Sequence, residues 1–208
     1  MGRYTGPKAK IARREGMNIF GLPKITRVLT KRNYPPGVHG VQQGARKPKM
    51  TEFGTQLREK QRMKRTYGLL ERQFKNYFEK AKHEKGELGH QFHTLLELRL
   101  DNVVYRLGLA ASRAQARQLV SHGHIEVNGK KVNVPSYTLR VGDAVSVREK
   151  SKSRSIFSDI ISGEKKFELP TWLTIDAKEL KGKVTALPPE EELKGQFDIK
   201  LIIEFYSR

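Results

Sequence analysis

From Thr55 onward, apolar side chains recur at the three- and four-residue intervals that are typical of amphipathic helices. A first helix is predicted over Gln56–Tyr67, and Gly68 is a suitable residue for its C-terminal end. A second predicted helix carries one apolar stripe, which consists of Leu70, Phe74, Tyr77, Phe78 and Ala81. This spacing places the stripe in the core and leaves the other faces to basic side chains.

Two more helices are predicted in the middle of the chain. The apolar face of the third begins near His90 and continues to Gly108. Ser112 is a good N-cap for the fourth, which extends over Arg113–His122 and is closed by Gly123. Two helices joined by a short turn therefore precede the first strand.

After the fourth helix, the pattern changes to the alternation that is typical of strands. Ile125 and Val127 alternate with polar neighbours, and Asn128-Gly129 is a strong signal for a two-residue type I′ hairpin turn. Further strands are predicted over Lys130–Val134, Val145–Val147, Trp172–Ile175, Lys183–Leu187 and Ile199–Tyr206. Helices followed by a small antiparallel sheet predict the α+β class.

Residues 1–50 form a segment of different composition. Frequent glycine and proline break regular structure there, apart from two short helices predicted near Lys8–Arg14 and Lys24–Thr30. The segment has twelve Lys or Arg and one acidic residue, Glu15, which gives a net charge of +11. We interpret it as an extended basic arm that becomes ordered against its partner. A disordered tail that only improves solubility remains an alternative.

The charge of the whole chain favours a polyanionic partner. It has 41 Lys and Arg against 22 Asp and Glu, a formal net charge of +19. Residues 163–208 are nearly neutral, with eight basic and nine acidic side chains, so the surface for such a partner is expected in the N-terminal and central parts. A membrane surface is the weaker alternative, because no long amphipathic helix combines a basic face with Trp and Leu.

The chain contains no cysteine, which excludes disulfides and thiolate metal sites and fits a reducing cytoplasm. No apolar run reaches the roughly 18–20 residues that a transmembrane helix needs. The pairs His90 with His93 and His122 with His124 lack carboxylates at matched spacing and indicate a metal only weakly. We therefore expect a cytoplasmic protein without a cofactor.

The run over 96–127 carries the clearest functional signal, because it sets four arginines at intervals around an apolar core. Arg113 and Arg117 are four residues apart, so both guanidinium groups project from one helix face. The helix N-terminus adds backbone N–H donors, and arginine holds phosphate oxygens in bidentate fashion. With Lys130 and Lys131 beyond the hairpin tip, this arrangement predicts a platform for the backbone of structured RNA.

The predicted RNA-binding residues extend from the arm through the first helices to this platform. They are Arg3, Lys8, Lys10, Arg13, Arg14, Arg46, Lys47, Arg58, Arg62, Lys64, Arg65, Arg72, Arg99, Arg106, Ser112, Arg113, Arg117, Gln118, His122, His124, Lys130, Lys131, Lys150, Lys152 and Arg154. The rings of Tyr4, Tyr34 and Tyr137 are candidates for stacking on unpaired bases, whereas Trp172 is interpreted as a core residue.

Several stretches resemble one known family. Residues 96–148, with SRAQARQLVSHGHIEVNGKKVNVPSY, resemble the small RNA-binding module named after ribosomal protein S4. The stretches MGRYTGPKAKIARREG, YGLLERQFKNYF, LLELRLDNVVYRLG and LIIEFYSR resemble the bacterial family of small-subunit ribosomal protein four. The resemblance covers nearly the whole chain in order.

The resemblance implies a non-enzymatic primary binder of 16S rRNA that nucleates 30S assembly at a helix junction in the 5′ domain. It also implies a place near the channel through which mRNA enters the small subunit. A contact with ribosomal protein five of the small subunit, which influences the accuracy of translation, is implied as well. Some members of the family repress the mRNA of their own operon.

The resemblance further implies a domain organisation, because in this family the RNA-binding module is inserted into a helical domain. We therefore expect the basic arm over 1–50, a discontinuous helical domain over 51–94 and 180–208, and the RNA-binding domain with the small antiparallel sheet over 95–179.

One departure from the family concerns zinc. Many members carry four cysteines in the arm that hold a zinc ion, and this chain has none. No zinc is therefore expected. The arm has to be ordered by rRNA and by apolar residues such as Ile11, Ile19, Phe20, Leu22 and Val28.

An RNA-modifying enzyme is the main alternative function, because the same module is attached to such enzymes. The tripeptide Arg99-Leu100-Asp101 resembles the surroundings of the catalytic Asp in pseudouridine synthases. Here it lies within an apolar helix, so Asp101 is interpreted as a helix-capping or arginine-pairing residue. Residues 150–154 are interpreted as a basic linker that touches phosphate.

Two further alternatives stay open. A dedicated regulator of mRNA would use the same basic surface. The C-terminal run over Ile199–Tyr206 closes the core, contacts a neighbouring protein, or does both.

Overall fold

The computed structural model describes residues 4–40, 50–157, 169–193 and 197–207, which form two units. Unit 1 comprises the described residues within Met1–Asn76 and Gln196–Arg208, and unit 2 comprises those within Tyr77–Gly195. The domains predicted from the sequence divide the chain at other positions and stay a prediction.

The two units are built from short helices and one sheet. In chain order the elements are α1 (Lys8–Glu15), α2 (Pro23–Lys31), α3 (Glu52–Thr66), α4 (Glu71–His83), α5 (Leu88–Glu97), α6 (Leu100–Arg106), α7 (Arg113–Ser121), β1 (Ile125–Val127), β2 (Lys130–Lys131), β3 (Ala144–Val147), α8 (Glu149–Lys152), β4 (Leu173–Asp176), β5 (Lys181–Val184), α9 (Glu190–Leu193) and α10 (Ile199–Ser207). Helices combined with an antiparallel sheet confirm the α+β class. None of the described helices is long and apolar enough to cross a membrane.

The arm contains α1 and α2, which confirm the two short helices predicted there. Their inner sides bury Ala12 and Ile25. The carboxylate of Glu15 accepts hydrogen bonds from Arg58 and Arg65 of α3. The arm therefore has apolar and ionic contacts within unit 1, and its ordering against RNA remains a prediction.

The C-terminal segment forms the helix α10, so the strand predicted over Ile199–Tyr206 is wrong. The carboxylate of Asp198 accepts a hydrogen bond from the Leu201 backbone N–H at the start of this helix (3.4 Å). Ile202 is fully buried, and α10 packs against α3. A run rich in Ile and aromatic residues favours a strand by propensity, but packing against an existing helix overrides that preference.

A polar cluster joins α3, α4 and α10 inside unit 1. The ammonium groups of Lys60 and Lys64 each lie 2.6 Å from a carboxylate oxygen of Glu71, and the Tyr206 hydroxyl donates to Glu71 over 3.1 Å. The Lys60 ammonium also lies 4.4 Å from the ring centroid of Phe205. Burial alone would raise the pKa of Glu71, but the hydrogen bonds from the two lysines outweigh it and lower that pKa to about 2.

A break separates α5 from α6 in unit 2, so the single helix predicted over 90–108 is wrong. At the break, the backbone N–H of Leu100 donates to the Tyr137 carbonyl over 2.8 Å, and the N–H of Leu139 donates to the Leu98 carbonyl over 2.9 Å. The loop that contains Tyr137 and Leu139 thus replaces the helical hydrogen bonds that the break removes.

The sheet of unit 2 has the strand order β2-β1-β3-β5-β4, and every neighbouring pair is antiparallel. Asn128 and Gly129 join β1 to β2 with φ values of 51° and 74°, which confirms the predicted type I′ turn. Ile125, Val145 and Val184 are fully buried and share one core with the apolar residues of α6 and α7. One face of the sheet therefore carries the helices that hold the arginines.

The structure corrects some details of the other predictions and confirms one. β2 is shorter than the predicted strand, and β5 begins two residues before the predicted one. Trp172 is 2% exposed, which confirms it as a core residue. Leu70 is 43% exposed, so its place in the apolar stripe is wrong. It precedes α4 and therefore does not share that helix's buried face.

Gly182 in β5 lies against Leu107, the residue directly after α6, without space for a side chain. A Cβ at this position would lie 2.5 Å from Cδ2 of Leu107 and 3.0 Å from the carbonyl oxygen of Thr174. We predict that Gly182→Ala lowers the free energy of unfolding by about 1–3 kcal/mol, the range for an overfilled core. Denaturant titration followed by the fluorescence of Trp172, the single tryptophan, measures the change. Lys183→Ala, at an exposed neighbour, is the control and should change it by less than about 0.5 kcal/mol.

The low pKa of Glu71 makes its contribution to stability depend on pH. Because folding lowers this pKa from 4.5 to about 2, Glu71 stabilises the protein above about pH 4.5, and the effect is lost as the pH falls towards 2. We predict that Glu71→Gln lowers Tm at neutral pH and that the difference from the wild type shrinks at acidic pH. Thermal unfolding followed by circular dichroism measures both proteins, and a difference that is independent of pH would contradict the assignment.

Candidate nucleic-acid interface

Arg99, the first arginine of the predicted platform, lies inside unit 2 and is 2% exposed. Its Nε and Nη2 donate to the carboxylate of Asp101 over 3.0 and 2.9 Å, and its Nη1 donates to the Tyr77 hydroxyl over 2.6 Å. Burial alone would lower the pKa of Arg99, but the Asp101 carboxylate outweighs it and raises that pKa. Asp101 is thus an arginine-pairing residue, as predicted. Arg99 is therefore not part of the candidate interface, because its guanidinium is not accessible to a phosphate.

Arg106 forms a two-pronged ion pair with a buried carboxylate. Its Nε and Nη2 donate to the two carboxylate oxygens of Glu97 over 2.9 and 2.8 Å. The side chains of Arg106 and Glu97 are 23% and 1% exposed. The main role of Arg106 in this structure is therefore to neutralise Glu97.

Arg113 and Arg117 lie on α7 and contact acceptors on α6. The Nε of Arg113 donates to the amide oxygen of Asn102 over 2.7 Å, and its guanidinium carbon lies 4.6 Å from the ring centroid of Tyr105. The Nη1 of Arg117 lies 3.9 Å from a carboxylate oxygen of Asp101. Arg113 is half-buried, and the side chain of Arg117 is 12% exposed. The structure thus brings the predicted arginine pair together and restricts both side chains.

The N-terminus of α7 is capped as predicted. The Ser112 hydroxyl accepts a hydrogen bond from the Gln115 backbone N–H over 3.3 Å, and the Gln115 side chain accepts one from the Ala111 N–H over 2.8 Å. One of the backbone donors that we expect at this helix end therefore already has a partner.

A second group of basic side chains, the histidine cluster, consists of His122, His124, Arg148 and Arg154 and lies beyond the C-terminal end of α7. The two histidine rings have centroids 6.2 Å apart. The Nδ1 of His124 lies 3.0 Å from the Ser151 hydroxyl, and the Arg148 backbone N–H donates to the His124 carbonyl over 2.9 Å. Burial, and then the nearby cations of the cluster, lower the pKa of His124. Positive charge is therefore concentrated at this position.

Sequence reasoning does not identify Arg148, although it belongs to the histidine cluster. Its Nη1 donates to the Gly123 carbonyl over 3.3 Å, and its Nε lies 3.4 Å from Glu126. The side chain of Lys131 in β2 packs against Gly123, so closely that a Cβ on Gly123 would collide with it. Lys131 therefore lies beside the histidine cluster. The signal that identifies Arg148 is its position directly after β3, the strand that pairs with β1.

The remaining predicted residues of unit 2 are one lysine with an ionic partner and a group of surface residues. Lys152 pairs with Glu149 over 2.8 Å. The others lie at the surface and are Gln118, His122, Lys130, Lys131, Lys150 and Arg154.

The predicted residues of unit 1 also divide into two groups. Lys10, Arg14 and Arg72 are exposed. The others have partners within the unit: Lys8 lies over the ring of Phe20, Arg13 donates to the carbonyls of Tyr34 and Pro35, Arg58 and Arg65 pair with Glu15, Arg62 with Glu59, and Lys64 with Glu71. Arg3, Arg46 and Lys47 lie outside the described residues.

The aromatic and histidine candidates have different surroundings. Tyr4 and Tyr137 are 51% and 41% exposed, whereas the ring of Tyr34 lies 4.7 Å from the Arg13 guanidinium. Base stacking by these rings stays a prediction. His93 is fully buried, and burial lowers its pKa to about 4. Within the described ranges, no group of three or more His, Asp or Glu side chains is placed to hold a metal ion.

Two family models match the chain. The one described as "Ribosomal protein S4/S9 N-terminal domain" matches residues 3–97, and the one described as "S4 domain" matches residues 98–145. A protein of Parabacteroides distasonis, "Small ribosomal subunit protein uS4", is 51% identical over 208 residues. Proteins with the same description from Chloroflexus aurantiacus and Caldicellulosiruptor saccharolyticus are 50% identical over 210 and 212 residues. All three alignments cover 100% of both chains.

The pKa of His124 tests the geometry of the histidine cluster. We predict that Arg154→Gln raises this pKa, because the substitution removes one of the cations that disfavour a charged ring. Titration of the ring C–H signals by NMR measures the shift. Lys183→Gln, which removes an exposed charge from β5, is the control and should leave the pKa of His124 unchanged. An identical pKa in the Arg154 variant and the wild type would show that Arg154 does not face this ring.

Proposed function

The chain belongs to the family of small ribosomal subunit protein uS4, whose members are structural and non-enzymatic, and we propose that it binds 16S rRNA through the arginine pair of α7. As a constituent of the small ribosomal subunit, it serves translation in the cytoplasm. The family and the non-enzymatic role expected from the sequence are thereby confirmed.

The restriction of Arg113 and Arg117 is the observation that supports RNA binding most directly. Each arginine contacts an acceptor on α6, Asn102 for the first and Asp101 for the second. A cation whose side chain is already held in place loses less conformational entropy when it binds. Two such cations on one helix face suit the phosphate backbone of a folded RNA, which is recognised by shape.

The histidine cluster extends the proposed interface past the other end of α7. His122 follows this helix, nine residues after Arg113 and five after Arg117, which correspond to about 13.5 and about 7.5 Å along the axis at the usual rise of about 1.5 Å per residue. The arginine pair and the histidine cluster are therefore far enough apart to contact different phosphates of one RNA. Lys131 adds to the positive charge of the histidine cluster.

Unit 1 contributes a less specific attraction. Its exposed basic side chains include Lys10, Arg14 and Arg72, and residues 1–50 carry a net charge of +11. Such cations release counterions from the RNA when they bind. We propose that unit 1 increases affinity, whereas the ordered groups of unit 2 select the RNA fold.

The finer roles that we propose are those that the family resemblance implies, and that resemblance extends over nearly the whole chain. The RNA target is a helix junction in the 5′ domain of 16S rRNA, where binding nucleates assembly of the 30S subunit. The protein lies near the channel through which mRNA enters, and its contact with ribosomal protein five of the small subunit influences translational accuracy. The nearly neutral segment 163–208 supports a surface for a protein neighbour. Repression of its own operon mRNA is a further proposed role.

No contact in the described part of the chain favours an RNA-modifying enzyme. Asp101, the candidate catalytic residue of that alternative, is 5% exposed and pairs with Arg99. Its carboxylate is therefore committed to holding α6 in place.

Removal of the arginine pair tests the proposed function. We predict that Arg113→Ala combined with Arg117→Ala weakens binding to a 5′-domain transcript of 16S rRNA at least about tenfold, since hydrogen bonds to charged groups contribute about 1.5–3 kcal/mol each. The slope of log K against log salt should fall by about 0.7–0.9 for each phosphate that the variant no longer neutralises. Filter binding or fluorescence anisotropy across a salt series measures both quantities.

The matched control removes the same charge elsewhere in unit 2. Lys181→Ala combined with Lys183→Ala changes two exposed lysines of β5 outside the proposed interface, and we expect a much smaller loss of affinity. Equal losses in both double variants would show that the surface attracts RNA only by its net charge. Tighter binding of the wild type to its operon leader than to the rRNA transcript would favour the mRNA regulator.

A further inference from the structure

Asn102 connects the interior of unit 2 to Arg113 at its surface. The residue is 2% exposed. Its Nδ2 donates to the backbone carbonyl of Glu97 and to the carboxylate oxygen Oε2 of the same residue, both over 2.9 Å. Its Oδ1 accepts from the Nε of Arg113 over 2.7 Å. One amide therefore bridges a buried acidic residue and a cation of the proposed interface.

Only one orientation of this amide satisfies both neighbours. The two oxygens of Glu97 are acceptors, and the Nε of Arg113 is a donor. Turning the amide over would set acceptor against acceptor on one side and donor against donor on the other. Glu97 itself is 1% exposed and held by two hydrogen bonds from Arg106. The acceptor that Asn102 offers to Arg113 thus has a fixed position.

We propose that Asn102 is a positioning residue for RNA binding, which holds the Arg113 side chain in the conformation that receives a phosphate. This inference rests on the proposed function of Arg113 and goes beyond it, because the buried Asn102 acts without touching RNA itself. The bond to Asn102 uses the Nε of the guanidinium. Packing on Tyr105, 4.6 Å from the ring centroid, orients the same group from another side.

A double-mutant cycle tests the inference with the full chain and a 5′-domain transcript of 16S rRNA. Asn102→Ala should raise Kd between about twofold and tenfold, which corresponds to the net contribution of one hydrogen bond. The slope of log K against log salt should not change, because every positive charge remains. Arg113→Ala should raise Kd and also lower the slope. The double variant should bind like Arg113→Ala alone, because Asn102 acts only through that side chain.

Two further variants separate positioning from a general loss of stability. Val103 is fully buried beside Asn102 in the sequence, and Val103→Ala should lower Tm while Kd stays unchanged. Arg113→Lys leaves the core intact and keeps the charge but removes the guanidinium Nε. It should raise Kd at least as much as Asn102→Ala does, because lysine also loses the bidentate contact with phosphate. The slope should stay unchanged, and adding Asn102→Ala to Arg113→Lys should not raise Kd further.

Three outcomes would overturn the inference and leave the proposed function intact. They are wild-type affinity in Asn102→Ala, an effect of Asn102→Ala that persists beside Arg113→Ala, and an equal rise of Kd in Val103→Ala. A wild-type Kd and salt slope in Arg113→Ala would instead overturn the proposed role of Arg113 in RNA binding.

Discussion

Two buried carboxylates, those of Glu97 and Asp101, determine how the basic face of unit 2 is arranged. A carboxylate in a protein interior is tolerated only when cations and hydrogen-bond donors surround it. Each of these two therefore binds an arginine, Arg106 in the first case and Arg99 in the second. They lie on the two sides of the break between α5 and α6, where regular helical hydrogen bonding stops. The position of α6, and of the helix α7 that packs on it, depends on these ion pairs.

The same constraint explains how several of the many basic side chains of this protein are held in fixed positions. Asp101 lies 3.9 Å from Arg117, and Glu97 orients the amide that binds Arg113. In the arm, Glu15 has a side chain that is 3% exposed and pairs with two arginines of α3. Glu15, Glu97 and Asp101 are thus used inside the protein, where they position arginines. A polyanion that approaches such a surface meets cations whose geometry is already set, and this favours recognition of RNA shape.

Local signals predicted the structure well where a few neighbouring residues decide it. Ser112 predicted the start of α7, and Asn128 with Gly129 predicted the hairpin turn, because caps and turns depend on the chemistry of single side chains. The C-terminal helix was not predictable from its run of Ile and Phe, because its contact with α3 joins residues that are distant in the sequence. For the same reason, the sequence did not show which of the four arginines are buried and which are available to a partner. Spacing places Arg99 and Arg113 on helices, but only the fold shows that Arg99 is buried and that Asn102 holds Arg113.

Directed hydroxyl-radical cleavage from α7 tests the central claim most directly, because the chain has no cysteine and one introduced thiol can be labelled uniquely. Ala114 is exposed on α7 next to Arg113, and Thr174 is exposed on β4. An iron chelate attached to Ala114→Cys should cleave a 5′-domain transcript of 16S rRNA at a few defined nucleotides, and the same chelate on Thr174→Cys should cleave those nucleotides weakly. Strong cleavage from position 174 with none from position 114 would contradict the claim that the anchored arginines of α7 face the RNA.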